Sequence, residues 1–395
     1  MTVGSGPYIL PTEDIRTNES ITLTRRKDYW GANDPFNAGM YNFDKIRFGV
    51  VLEDRLAFEK ACKGDLDYYI VNTAKWWVED LPGVEGIKKG HLVRQKIYSK
   101  SPSGVQGLAF NMRNPPLDDV RVRKAFAHLF DRRKMVEKFA YNEYDLLKSY
   151  YPGSDAENPL NKVVEYDPEQ AAKLLAEAGW SKRGPDGILV KEGKRLSLSL
   201  SYSTKFFEKY FTSLKEDCKR AGVEVNLDYV SDETFWPRRV DHKFEIASQA
   251  WSGDMFPSPK SSFHSSMADA KGSSNLTGLK NEEVDKLIEQ YDAEFDIAKR
   301  VEILRKLDGA VFNEHPYALN WGIACERLLY VNKFGMPATV LRKFDDYRAP
   351  FFCWWVDPSK EQRLKQARRD GTSISPIPPL ELRPWDSPSA KTAGR

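Results

Sequence analysis

Cysteine is scarce in this sequence: the 395 residues hold only Cys62, Cys218, Cys325 and Cys353, far apart and with no CxxC pair. That spacing gives neither a disulfide framework nor a zinc knuckle, so these residues read as core thiols, with one disulfide left open for an oxidising compartment. Histidine is almost as sparse. His91, His128, His242, His264 and His315 form no HExxH or other paired spacing, which leaves metal catalysis unsupported and implies no metal site and no cofactor. An excess of charge is also missing: 60 Lys plus Arg stand against 57 Asp plus Glu, for a formal net charge of +3, and no block of one sign dominates. A nucleic-acid footprint is therefore not indicated. No apolar run reaches bilayer length, and the opening MTVGSGPYIL lacks the basic, apolar and small-residue order of a signal peptide. Nor is there a GxSxG elbow, since Ser252 lies in Trp251-Ser252-Gly253-Asp254. Carboxylates are abundant, and a glycosidase-like pair stays open only because nothing selects one pair over another.

What is present suits a globular chain with more than one lobe: 41% of residues are hydrophobic and 12% aromatic. The Gly4-Ser5-Gly6-Pro7-Tyr8 opening is a bend into a strand; it lacks the Lys-Ser/Thr of a phosphate loop. Residues 55–63 read as a helix stopped by Gly64, and Trp76 and Trp77 fall in the loop that follows the next strand, where an indole could stack on a ligand or pack inside. Ser101-Pro102-Ser103-Gly104 marks a lobe junction. After it, Asp118 or Asp119 caps a helix with Val122, Phe126, Leu129 and Phe130 on one face and Arg121, Arg123 and Lys124 turned outward. Asp167-Pro168-Glu169-Gln170 opens another helix. The alternating runs 196–202 and 223–229 flank a helical stretch stopped by Gly222, which predicts a right-handed parallel crossover. A third run, 244–250, continues that sheet and delivers Trp251 and Asp254 just beyond a strand's carboxyl end, the place where an α/β protein binds ligands. Taken alone, W-x-x-D reads rather as a buried indole and a turn-capping carboxylate, and its place after the third strand is what raises it to a candidate site. From Glu361 the chain turns charged and then proline-rich, which reads as a disordered tail.

Several separated motifs resemble the extracellular solute-binding proteins of the oligopeptide-binding class, the substrate-binding components of ABC importers. GSGPY from Gly4, RRKDYWG from Arg25, Lys63-Gly64-Asp65-Leu66-Asp67, FNMRNPPLDDVRVRKAFAHLFDR from Phe110 and YDPEQAAKLLAEAGW from Tyr166 match the family in its order. GSSNLTGLKNEEVDKLI from Gly272 and Phe351-Phe352-Cys353-Trp354-Trp355 look most like the microcin C and oligopeptide binder branch. The resemblance spans Gly4 to about Pro358 and covers the carboxyl-terminal two thirds of the family, so the chain is expected to be a fragment or to have a misassigned start.

The resemblance implies an α/β, two-lobed periplasmic-binding-protein-like fold of type II, incomplete at the N-terminus. Residues 1–100 would be the remainder of lobe I, 101–330 lobe II, 331–360 the return to lobe I, and 361–395 the tail. It implies a periplasmic monomer that captures peptides or peptide-like solutes between its lobes and delivers them to ABC transporter permease subunits, without enzymatic turnover. Asp254 would be the partner of a peptide ammonium, Trp251 a pocket wall and Asn275 a further contact; Trp76 and Trp77 are candidate stacking residues from their loop position alone. Ser248 stands where some relatives carry an arginine, so the resemblance supplies no partner for a ligand carboxylate. Two other expectations remain beside this one: a peptide or glycan hydrolase built on an unrecognised carboxylate pair, and a non-functional truncated fragment whose sheet has open edges.

Overall fold

A computed structural model of the protein describes residues 4–386. The chain divides into two compact units: one runs to Ser101 and resumes at Ala324, and the other is Pro102–Ile323. The second crossing precedes the strand Glu326–Val331, so that strand belongs to the first unit and not to the end of lobe II.

The Pro102–Ile323 unit is built on a five-stranded sheet in the spatial order Glu224–Tyr229, Ser197–Tyr202, Ile246–Trp251, Val105–Phe110, Tyr317–Leu319. The first three strands are parallel, and the last two run antiparallel to their neighbours. The helices Glu208–Ala221 and Asp232–Val240 supply the crossovers that parallel pairing needs. Gly222, at φ +90°, ends the first of them in the left-handed conformation that a side chain resists. Because successive side chains point to opposite faces, each strand feeds two cores. Leu108, Phe110, Leu198, Leu200 and Ile246 pack on one side with the helices Val120–His128 and Pro168–Glu177. Ala109, Ala247, Phe235 and Tyr317 pack on the other with Glu282–Ala293 and Ile297–Glu314.

Local capping chemistry sets these helices. Asp119 accepts from the Arg121 amide, Asp167 from the Gln170 amide, and Asn281 from those of Glu283 and Val284. One expectation fails in the first helix: Arg123 does not face solvent but is 1% exposed, with donors on the carbonyls of Leu117, Asp118 and Glu314. A buried guanidinium is tolerated when every donor is used, and here it ties helix Val120–His128 to the end of Ile297–Glu314. Asp308 is similarly enclosed; it accepts from the amides of Tyr150 and Asn158 and from Asn161 Nδ2, which fastens the long 148–161 connection.

The other unit has an antiparallel sheet of Tyr8–Ile9, Ile15–Arg16, Ser20–Arg25 and Lys45–Gly49, and a second sheet in the order Glu381–Leu382, Leu92–Ile97, Glu326–Val331, Tyr68–Ile70. The disordered tail expected from Glu361 is corrected over the described residues. Asp357 caps the helix Pro358–Asp370, whose Leu364 and Ala367 are buried beside Phe58, Trp77 and Leu329. The chain then returns past Gly90, where the Ile374 carbonyl would lie 2.5 Å from a Cβ, and Glu381–Leu382 pairs in parallel with Lys96–Ile97. Residues 387–395 of that expectation lie outside the described residues. None of the four cysteines is in a disulfide; Cys218 and Cys353 are core thiols, and burial pushes Cys353 up to about 11. No helix among the described residues is long and apolar enough to cross a membrane.

Candidate functional site

The three parallel strands each end in an aromatic residue: Tyr202, Tyr229 and Trp251. Tyr202 is buried and lies 5.5 Å, centroid to centroid, from the half-exposed Tyr229. Ile246–Trp251 projects beyond Ser197–Tyr202, with which its pairing stops at Ala247, while its pairing with Val105–Phe110 continues to Trp251. The backbone at Trp251 is therefore paired on one side only. The indole Nε1–H donates to the buried Tyr317 hydroxyl at 3.1 Å. Burial drives the Tyr317 phenol up to about 12, against the opposing effects of the Trp251 hydrogen bond and the Arg239 charge.

The turn after Trp251 has no slack. A Cβ on Gly253 would sit 2.2 Å from the Pro102 carbonyl oxygen, and one on Gly104 would sit 2.3 Å from the Trp251 carbonyl oxygen. Two glycines thus let the Trp251–Asp254 turn lie directly on the segment that enters the unit. Asp254 itself is exposed and accepts from the Phe256 amide at 3.1 Å, an Asx turn that leaves carboxylate capacity toward solvent. Phe256 and Trp236 are each 61% exposed.

The helix Asp232–Val240 brings two arginines to this end of the sheet. Arg238 pairs with Asp228 at 2.7 Å, and Asp228 also accepts from Ser201 Oγ at 3.0 Å. Arg239 has its guanidinium carbon 4.6 Å from the Trp236 ring centre and 5.6 Å from that of Phe235, and it donates to Gln249 Oε1. Burial lowers its pKa. Gln249 lies two residues before Trp251 and so on the same strand face, whereas Ser248 falls on the other.

Of the residues singled out in the sequence, Trp251, Asp254 and Asn275 belong to this unit, and Trp76 and Trp77 to the other. Asn275 is corrected from a ligand contact to a loop clasp: it is fully buried, its Oδ1 accepts from the Leu279 amide at 3.0 Å, and its Nδ2 donates to the Leu279 and His264 carbonyls. Trp77 is corrected from a loop residue to a core one. It lies in a helical turn, Trp76–Asp80, is 1% exposed and is covered by Arg94 at 4.4 Å. Trp76 is half-buried and stacked on Phe58 at 4.7 Å. Tyr229, Trp236, Arg239, Gln249 and Tyr317 were not singled out. The repeated aromatic close of SLSLSY, EVNLDY and IASQAW was the available signal for the first of them.

A cavity of about 570 Å³ lies elsewhere, lined by Met112, Arg113, Arg123, Asp269, Lys280 and Glu314 among others. It opens near the Phe110 end of Val105–Phe110, which pairs with Ile246, five strand positions from Trp251 and hence about 17 Å away. Its charges cancel locally, with Lys280 on Asp269 at 2.6 Å and Arg123 on Glu314 at 3.5 Å. The strand-end wall therefore remains the better candidate. No group of three or more His, Cys, Asp or Glu among the described residues could hold a metal ion.

Comparison with known proteins places the chain in a family. Residues 1–274 match the model of the bacterial extracellular solute-binding proteins, family 5 middle region. Escherichia coli YejA is 26% identical over 403 residues, which cover 93% of this chain and 66% of that protein. Among solved structures, the oligopeptide-binding protein AppA from Bacillus subtilis, in complex with a nonapeptide, superimposes with a TM-score of 0.70 at 21% identity, over 89% of this chain and 66% of that one. NikZ from Campylobacter jejuni, in complex with Ni(L-His), gives 0.72 at 16% identity, over 89% and 68%. The chain thus spans about two thirds of the length of YejA and AppA, and it has the α/β fold of the two-lobed binding proteins. With the family model matched over more than half of its length, the chain belongs to the bacterial extracellular solute-binding proteins of family 5.

Proposed function

We propose that this protein is the substrate-binding component of an ABC importer, capturing peptides or peptide-like solutes in the periplasm and presenting them to permease subunits. The observation that carries the proposal is the wall at the carboxyl ends of the three parallel strands. There Trp251 and exposed Trp236 supply stacking surface on the sheet face opposite to Tyr202 and Tyr229, and Asp254 follows on a turn fixed by Gly253. Flat aromatic walls bury a solute's apolar surface at little entropic cost, and an exposed carboxylate that already fixes its own backbone is set to meet an ammonium group. The peptide ligand of AppA supports the assignment of solute class.

In this role Asp254 holds the peptide amine, Trp251 forms the wall and no bond is broken. Calorimetric titration with trialanine tests it: Asp254→Asn should weaken binding by about 10- to 100-fold, the range for loss of one charge-assisted contact. Unchanged affinity in the variant sinks the role of Asp254. Appearance of free alanine on prolonged incubation would favour a peptide hydrolase, and binding of Ni(L-His) in preference to trialanine would move the solute class toward that of NikZ.

A further inference from the structure

We propose that Arg239 is the anion anchor of this wall, receiving a carboxylate of the solute, so that the site selects zwitterionic or acidic peptides; this rests on the peptide assignment above. Three observations converge on that residue. Its guanidinium is half-buried against Trp236 and Phe235, yet no carboxylate among the described residues pairs with it, whereas the adjacent Arg238 is neutralised by Asp228 at 2.7 Å. Its Nε is buried without any acceptor, and its one hydrogen bond, through Nη1, goes to the neutral Gln249 side chain. It also lies on the strand face of Gln249, Trp251 and Tyr317, at the end of the sheet where Asp254 emerges.

A guanidinium withdrawn from water without a counter-ion is costly, and a bound anion that meets the free edge of the fork offsets the cost. Gln249 is what keeps the fork aimed. It is buried, its Nε2 donates to the Ala250 carbonyl at 2.6 Å, and so its Oε1 is turned to the arginine. A glutamate at that position would satisfy the charge internally and shut the anchor. The absence of an arginine at Ser248 therefore does not deprive the wall of a positive group; the group arrives from the preceding helix on the opposite strand face.

The test compares three peptides on the full chain: trialanine, trialanine amide, and Ala-Glu-Ala amide, which carries its only carboxylate on the side chain. The wild type should prefer one or both carboxylate-bearing peptides over trialanine amide by about 10- to 100-fold, and which of them is preferred identifies the carboxylate source. Arg239→Gln and Gln249→Glu should each abolish that preference while leaving the affinity for trialanine amide in place, and Arg239→Lys should restore part of it. Equal wild-type affinity for all three peptides, or a preference that survives in Gln249→Glu, overturns the inference while the peptide assignment stands. Binding of none of the three overturns that assignment and the anchor with it. Should Arg239→Gln fail to fold, Gln249→Glu, which keeps the stacked guanidinium, decides the question.

Discussion

Gly253→Ala is the sharpest perturbation of the candidate site, because the obstacles a methyl group meets there are all backbone. The new Cβ would lie 2.2 Å from the Pro102 oxygen and 2.6 Å from both the Pro102 carbonyl carbon and the Ser103 oxygen. That is roughly 1 Å inside van der Waals contact, and no rotamer can relieve it. The turn must lift from the entering segment, at a cost of about 2–4 kcal/mol in unfolding free energy and with Asp254 displaced. Gly104→Ala strains the same seam from the other side, its Cβ 2.3 Å from the Trp251 oxygen. Once either methyl has opened the seam, the second costs less, so the double variant should lose about 1 kcal/mol less than the sum of the singles. Urea titration followed by tryptophan fluorescence measures all three. Gly83→Ala, where a Cβ meets nothing within 4 Å, should stay within about 0.5 kcal/mol of wild type. A Gly253→Ala protein with the wild-type midpoint, or a strictly additive double variant, would refute the close approach.

The remaining predictions concern pH and the carboxyl-terminal helix. His315 ends the helix Ile297–Glu314 at φ +47°; burial, with Lys124, Arg123, His128 and Arg132 nearby, lowers its pKa from 6.5 to about 3. The stability it contributes is complete above 6.5 and is lost as pH falls toward 3, by up to about 2–4 kcal/mol. Asparagine accepts the left-handed conformation, so His315→Asn should flatten that acid limb in melts taken across the range; an unchanged limb refutes the assignment. Leu364→Ala should lower the stability of its unit by about 2–4 kcal/mol, as expected for a fully buried leucine, whereas a chain disordered from Glu361 would show no effect.

Much of the fold was legible because its signals are local. Gly64 and Gly222 stop their helices, Asp167 caps its own, and the alternation in 196–202 and 223–229 gives two adjacent parallel strands. The misreadings share a physical origin: a partner distant in sequence. Arg123 looks like a solvated cation until the carbonyl of Glu314 is brought to it, and Leu364 with Ala367 make too narrow a stripe to stand out from PSKEQRLKQARRD. Trp77 and Asn275 failed as site residues for the same reason, since burial is decided by Arg94 in one case and by the fold-back of Leu279 in the other. The place of Trp251 and Asp254 just after a strand was legible; the unpaired charge of Arg239 was not, because a helical arginine next to another arginine carries no sign of which one has a counter-ion.

The order of strands in the unit that resumes at Ala324 has a consequence for how the chain assembles. Glu326–Val331 sits between Leu92–Ile97 and Tyr68–Ile70, so those two earlier strands have no direct pairing and wait for a neighbour made after the whole of Pro102–Ile323. Closing so long a loop adds only a logarithmic entropy term, and it falls further once the inserted unit has folded and drawn its two ends into one compact body. During synthesis the inserted unit, being continuous, is the natural first to fold, while Leu92, Val93 and Ile97 remain uncovered. The interval between those two events is when this chain is most exposed to aggregation and to chaperones.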